Sequence, residues 1–227
     1  MGTKAMYRRR PSHGFGYGGA AGRPGGVGHK PLKRPVQARS RFTVQALYDA
    51  FVRIWRSRGW DAVTTREVAL ESGVSVGTLY DYFPNKQALL SGYVRHCIEA
   101  LVEALHQQVV QADTLTWAER LHRLVRLSCG VDPGQPYFDA EMLALEHQIA
   151  EPKHHRRAYE ELSAKWVEAL TGCADLPRPM SPERARTLFL CAWGGRRYRL
   201  LVAPTDLDAE RWAAEVEAVC RAAIEAG

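Results

Sequence analysis

The chain has 227 residues, room for one large domain or two small ones, and its 46% hydrophobic content is enough for a core. No apolar run approaches the roughly 20 residues that cross a bilayer, and no hydrophobic segment of the signal-peptide kind follows the basic N-terminus; a cytoplasmic location with no membrane partner is expected. The formal charge of +6 is unevenly placed, because residues 1–41 carry ten Lys or Arg and no acid while the rest holds 21 basic and 25 acidic side chains, a net of −4.

Residues 1–38 form a basic arm. Gly and Pro dominate it from Pro11 to Pro35, and such a segment buries too little apolar surface to fold alone. Lys33, Arg34, Arg39 and Arg41, beside the folded part, have the chemistry to track phosphates or enter a minor groove; the plainer reading is a disordered leader or a start placed too early. A first helix is expected from near Thr43 to Arg58, with Leu47, Phe51, Ile54 and Trp55 on one apolar face. Gly59 stops it, and Trp60, Ala62 and Val63 lead to Thr64. Thr64 with Glu67 makes a capping box for a second helix, on which Val68 and Ala69 face inward, and Gly73 stands where a left-handed C-cap is needed. Val74 plugs the turn, and Ser75 caps a third helix that turns Leu79 and Phe83 inward. Pro84 ends it and Asn85 caps the next. This order reads as a helix-turn-helix built to enter a DNA major groove; the alternative is an ordinary helical hairpin.

A fourth helix is expected from Lys86 past Leu89, Leu90, Tyr93 and His96 toward Val109, joining the two parts of the molecule. Thr116 and Glu119 form another capping box, for a helix running to Gly130. After the turn cluster at 132–136, a helix is expected from about Tyr137 to Ala150, broken or restarted at Pro152 and followed by one reaching Thr171. Ser181-Pro182-Glu183 starts a helix that ends before Pro204, and a last one spans roughly Asp208 to Ala226. The expected fold is all-α: a basic arm at 1–38, a three-helix helix-turn-helix domain at 39–90 and a helical domain at 91–227. Five scattered cysteines without C-x-x-C spacing argue for buried thiols rather than disulfides or a zinc ribbon.

Residues 41–94 resemble the N-terminal domain of TetR-type transcriptional regulators, with the signature Val74-Ser75-Val76-Gly77-Thr78-Leu79-Tyr80-Asp81-Tyr82-Phe83-Pro84-Asn85-Lys86. The resemblance implies a ligand-responsive regulator, a repressor that binds a pseudo-palindromic double-stranded DNA operator as a homodimer and is released by a small molecule. It implies phosphate contacts by Thr65, Tyr80, Tyr82 and Lys86. Arg66 matches a position that reaches a base edge, where arginine can engage guanine bidentately. Thr78 can touch base or phosphate, and Val76 and Gly77 offer apolar contact or close approach. Asp81 departs from the basic, polar or aromatic residues usual there. The C-terminal helices imply a dimer interface with Trp193, Gly194, Gly195, Leu200, Trp212 and Val216 as candidates. The middle helices imply an apolar ligand pocket, with Trp117, Tyr137, Phe138, Met142, His147, Tyr159 and Trp166 as candidates.

His147, His154 and His155 lie near Glu146 and Glu151 but lack H-E-x-x-H order, and a solvated helix end explains them better than a metal site. No cofactor is expected. The chain shows no G-x-S-x-G elbow, Walker loop or dinucleotide glycine pattern beside a strand, so no enzyme is expected. The competing functional class is a basic-tailed, weakly specific DNA-binding or architectural protein, which predicts steep salt dependence with little sequence preference.

Overall fold

In the computed structural model, residues 38–202 and 208–226 are described; the expected arm at 1–38, save Ala38, which begins the first helix, and the expected helix stop at Pro204 lie outside them. Nine α-helices and no strand occur among the described residues. The first, α1, spans Ala38–Arg58 and starts ahead of Thr43, since nothing between Pro35 and Thr43 breaks a helix. A single 3-10 turn at Trp60–Ala62 leads into α2, Thr65–Ser72, and α3, Val76–Tyr82.

Local chemistry accounts for these boundaries. The Thr64 hydroxyl accepts from the Glu67 N–H at 3.1 Å. The expected capping box is only half made, because the Glu67 carboxylate takes a bond from Arg58 at 3.3 Å; the longer-range cation wins over the local backbone donor. Gly73, at φ 70°, closes α2, and the Val74 N–H reaches back to the Ala69 carbonyl. Ser75 accepts from the Thr78 N–H at 3.0 Å, and Asn85 from the Ala88 N–H at 2.8 Å, opening α4 at Lys86–Leu105. Leu47, Phe51, Ile54, Trp55, Leu79 and Phe83 are all buried in one cluster.

α4 belongs to two cores. Leu89, Leu90 and Tyr93 lie in the N-terminal cluster, whereas Ile98, Leu101 and Leu105 lie in the C-terminal one. Beyond Leu105 its last turn widens into a π-turn at His106–Val110. The remaining helices are α5, Trp117–Cys129; α6, Ala140–Ile149; α7, Pro152–Thr171; α8, Pro182–Val202; and α9, Ala209–Ala226. Thr116 and Glu119 complete a reciprocal capping box, and Gly130 at φ 73° ends α5. α6 starts at Ala140 rather than Tyr137, because the Asp139 carboxylate accepts from the Met142 N–H at 2.8 Å and makes Asp139 the N-cap. α5, α7, α8 and α9 enclose Trp166, whose indole N–H donates to the buried Ser128 hydroxyl at 3.0 Å.

α6 is the bridge. Met142 is buried in the N-terminal cluster, and Phe138, Leu145 and Ile149 pack against it. Asp139 accepts from the Trp55 indole N–H at 2.9 Å, Tyr93 donates to the Tyr137 carbonyl at 2.6 Å, and the Arg56 guanidinium lies 5.0 Å from the Tyr137 ring centre.

His96 packs with its ring 5.1 Å from that of Tyr48 and 6.1 Å from that of Tyr93. Burial lowers its pKa, against the opposing pull of Glu99 and Asp49. The unfolded chain therefore takes up this proton first as pH falls. Stability from this group is complete above about pH 6.5 and declines as pH drops toward the lower folded value. Urea denaturation between about pH 5.5 and about 7.5 should show that decline, and His96→Phe should shrink it.

Candidate nucleic-acid interface

The outer face of the helix-turn-helix gathers several of the expected DNA contacts. Tyr80 is exposed on α3, and its hydroxyl lies 3.1 Å from the Thr65 hydroxyl at the start of α2. That bond locks the first turn of one helix to the middle of the next and holds two polar oxygens side by side. Arg66 is exposed beside them and makes no hydrogen bond or ion pair among the described residues. Val76 is exposed, and Asp81 stands in the open.

Gly77 is instructive. A Cβ there would meet only the Ser75 hydroxyl, at 3.9 Å, so nothing inside the chain requires the residue to be small; its bare backbone is available to something outside. Thr78 is half-buried and shares a hydrogen bond of 2.8 Å with the Ser75 hydroxyl. Tyr82 is half-buried, its ring 6.3 Å from that of Phe83. The Lys86 ammonium donates to the Trp60 carbonyl at 3.2 Å and sits 4.2 Å from the Trp60 ring centre. Lys86 is thus held in place at the first turn of α4, where helix N–H groups also point outward.

Charge on this head is balanced. Residues 42–92 contain five Lys or Arg and five Asp or Glu. Two of the cations are spent on α2, through Arg53–Glu71 at 2.7 Å and Arg58–Glu67 at 3.3 Å. Arg66 and Lys86 remain on the face that carries Tyr80. Arg39 and the arm before it, which supply most of the positive charge, have no described side chains.

Two hollows flank α4. A cleft of about 730 Å³ lies among α1, α4, α6 and α7, walled by Tyr48, Val94, His96, Ile98, Ile149 and Ala158. The Arg95 guanidinium, bonded to Glu161 at 2.6 and 3.1 Å, sits in its wall. Across Val94 and Ile98 is a cavity of about 30 Å³ whose walls include Leu101, Phe138, Trp193 and Arg196. Of the seven residues expected to line a pocket, Phe138 lines the smaller of these two hollows and the other six line neither. Met142 and Trp166 are core, Tyr159 packs 6.0 Å from Phe189, and the Trp117 ring is covered by Arg221 at 5.3 Å. Tyr137 is exposed under Arg56, and His147 stacks on His155 at 5.4 Å.

His155 also lies 3.5 Å from Glu146, which Arg197 anchors at 2.9 Å. Among the described residues no three or more His, Cys, Asp or Glu side chains are grouped to hold a metal. Cys129 and Cys220 are buried, Cys97 and Cys173 half-buried and Cys191 exposed. On α8 and α9, Gly195 and Trp212 are spent within the chain, since a Cβ on Gly195 would stand 2.8 Å from the Trp212 ring. Trp193 and Val216 pack against the C-terminal core, Leu200 is half-buried, and Gly194 faces open space. Leu190, Tyr198, Leu201 and Val202 on α8 and Val219 on α9, absent from the expectation, are the large exposed apolar residues of these helices.

Residues 42–92 match the family model described as bacterial regulatory proteins, tetR family. The HTH-type transcriptional regulator BetI of Rhizobium meliloti is 31% identical over 133 residues, 58% of this chain and 59% of its own. The HTH-type transcriptional regulator AlkX of Mycobacterium tuberculosis is 33% identical over 78 residues, 34% of this chain and 37% of its own. The chain thus spans between 37% and 59% of the length of these curated relatives. Among solved structures, a TetR transcription regulator from Haloarcula marismortui superposes with a TM-score of 0.59 at 18% identity, over 82% of this chain and 98% of that one. SmeT in complex with triclosan gives 0.56 at 16% identity, over 80% and 91%. At such identities these superpositions show the fold alone.

Proposed function

We propose that the chain, whose residues 42–92 match the tetR family model, is a DNA-binding transcriptional regulator, a homodimeric repressor released by a small molecule. The observation that carries the DNA reading is the face built from Thr65, Arg66, Val76, Gly77 and Tyr80, with Lys86 fixed at its edge. Phosphate-facing hydroxyls and an ammonium set the register, while Arg66 and the open backbone at Gly77 are free to meet base edges. The large exposed apolar side chains of α8 and α9 support a two-fold dimer. Two heads would then read half-sites about 34–36 Å apart, or a multiple. The hollows beside α4 support ligand control, since α4 joins both cores. SmeT holds triclosan, a relative's precedent for a small-molecule site on this fold. No described helix is long and apolar enough to cross a membrane, and a DNA-binding regulator works in the cytoplasm.

The test is fluorescence anisotropy of the full chain on labelled DNA from its own upstream region and on scrambled DNA, at about 150 mM salt. Selective binding by two protomers is expected. Lys86→Ala should weaken binding on every sequence and lower the salt slope by about one per protomer, whereas Arg66→Ala should relax discrimination at one position per half-site by about 1–3 kcal/mol. Equal losses on all DNA from both variants would refute that division of labour.

One observation favours a second reading. The head at 42–92 is electrically balanced, and the chain's excess positive charge resides in the arm. A weakly specific binder held by its arm would bind both probes alike and lose that binding when residues 1–38 are removed. A repressor keeps its sequence preference in the shortened chain.

A further inference from the structure

Arg196 breaks the pattern of its own helix. α8 buries Ala185, Leu188, Phe189 and Ala192, and the same three- and four-residue steps lead next to position 196. An arginine stands there. Its guanidinium rests against Gly130, so closely that a Cβ on that residue would lie 2.5 Å from Cζ. Gly130 is the left-handed cap of α5, and its missing side chain is the seat of the guanidinium. The same guanidinium forms part of the wall of the 30 Å³ cavity, beside Val94, Ile98, Leu101, Phe138 and Trp193.

Among the described residues no acid neutralises it. Arg196 makes no hydrogen bond or ion pair among the described residues, and its nearest aromatic partner is the Trp193 ring at 5.6 Å. The groups that act on it most strongly are the Cys97 and Cys129 thiols and the cations Arg197 and Arg199. Burial pushes both thiols up to about 12, so they carry no charge at neutral pH. Arg197, its neighbour in the chain, already has Glu146 at 2.9 Å. Arg196 is half-buried, and a guanidinium so placed stays protonated and has donors to offer a carboxylate that enters beside it.

We propose that Arg196 is the counter-ion for the carboxylate of a small ligand with an apolar body, bound in the cavity between α4 and α8. The proposal rests on the reading of the protein as a ligand-responsive regulator and names the chemical class of its effector. The guanidinium offers a planar pair of donors that matches a carboxylate, and the surrounding walls are hydrocarbon and aromatic. A volume of 30 Å³ holds little more than water, so the ligand enters by displacing a wall. The wall free of helical structure is the stretch at 135–138. Its far side is the place where Tyr93 grips the Tyr137 carbonyl and Trp55 grips Asp139. Filling the cavity therefore strains the contacts that hold α1 and α4 to the rest of the molecule.

The test titrates the full chain with octanoate and 3-phenylpropanoate, and with octanol and octylamine as matched controls, by isothermal calorimetry. At least one acid is expected to bind, with octanol at least tenfold weaker and octylamine silent. Arg196→Gln should bring acid and alcohol to parity, and Arg196→Lys should keep the acid preference; circular dichroism confirms that each variant is folded. Failure of both acids to bind overturns the proposal, as does an acid preference that survives in Arg196→Gln. Operator binding without ligand is scored separately. Selective DNA binding with no acid binding removes this site and leaves the regulator; acid binding with no selective DNA binding removes the regulator and leaves the site.

Discussion

Trp166→Ala is expected to lower the unfolding free energy by about 3–5 kcal/mol. Trp166 is fully buried where α5, α7 and α8 meet, with Phe189 edge-on at 6.1 Å. Truncation removes the largest side chain of that core and leaves a void that helices anchored at both ends close only in part. It also strips the Ser128 hydroxyl of its indole donor at zero exposure, which adds the cost of a buried unsatisfied group. Urea denaturation should show an earlier midpoint with an unchanged slope, and the melting temperature should fall by roughly 10 °C. Trp166→Phe keeps most of the volume and should lose less. A loss under about 1 kcal/mol for the alanine variant would mean that the core refills, contrary to its packing here.

Asp139→Ala is expected to cost about 2–4 kcal/mol, and its effect should spread across both parts of the chain. One carboxylate caps α6 through the Met142 N–H at 2.8 Å, accepts from the Trp55 indole at 2.9 Å and accepts from the Tyr137 hydroxyl at 2.8 Å. The cap alone contributes about 1 kcal/mol, and the indole N–H left behind adds a desolvation cost. Hydrogen exchange should rise in α6 and at the end of α1 together. Asp139→Asn retains a capping oxygen and should lose much less. A double-mutant cycle with Trp55→Phe should return a coupling of about 0.5–3 kcal/mol; additivity would show that the link between α1 and α6 carries no energy.

The parts of this molecule that were legible in the sequence are those determined by neighbours in the chain. Thr64, Ser75, Asn85 and Thr116 accept from an N–H three residues on, Gly73 and Gly130 close their helices with positive φ, and the apolar stripe of α1 is buried where its spacing put it. Errors arose where a distant group intervened. Arg58 drew Glu67 out of its capping box, and Asp139 delayed the start of α6 while bonding Trp55, 84 residues away. The residues proposed to face DNA could be placed in advance because all but Lys86 lie on two short helices of fixed local geometry. The hollows beside α4 could not, because their walls come from five helices and an irregular stretch. Arg196 left a trace that was missed, a charge at the next inward position of a buried stripe.

The continuity of α4 turns a small disturbance into a large one. At 1.5 Å per residue its 20 residues make a rod about 30 Å long. A tilt of about 5° about one end carries the other through roughly 2.5 Å, and in a two-fold dimer the paired heads would move apart by up to about twice that. Hydrogen bonds to bases and phosphates fail over a few tenths of an ångström. In such a dimer the rod would work as a mechanical amplifier with its gain set by length, and a side chain displaced by the width of a single methyl group beside the pivot would be enough to spoil the spacing of the heads.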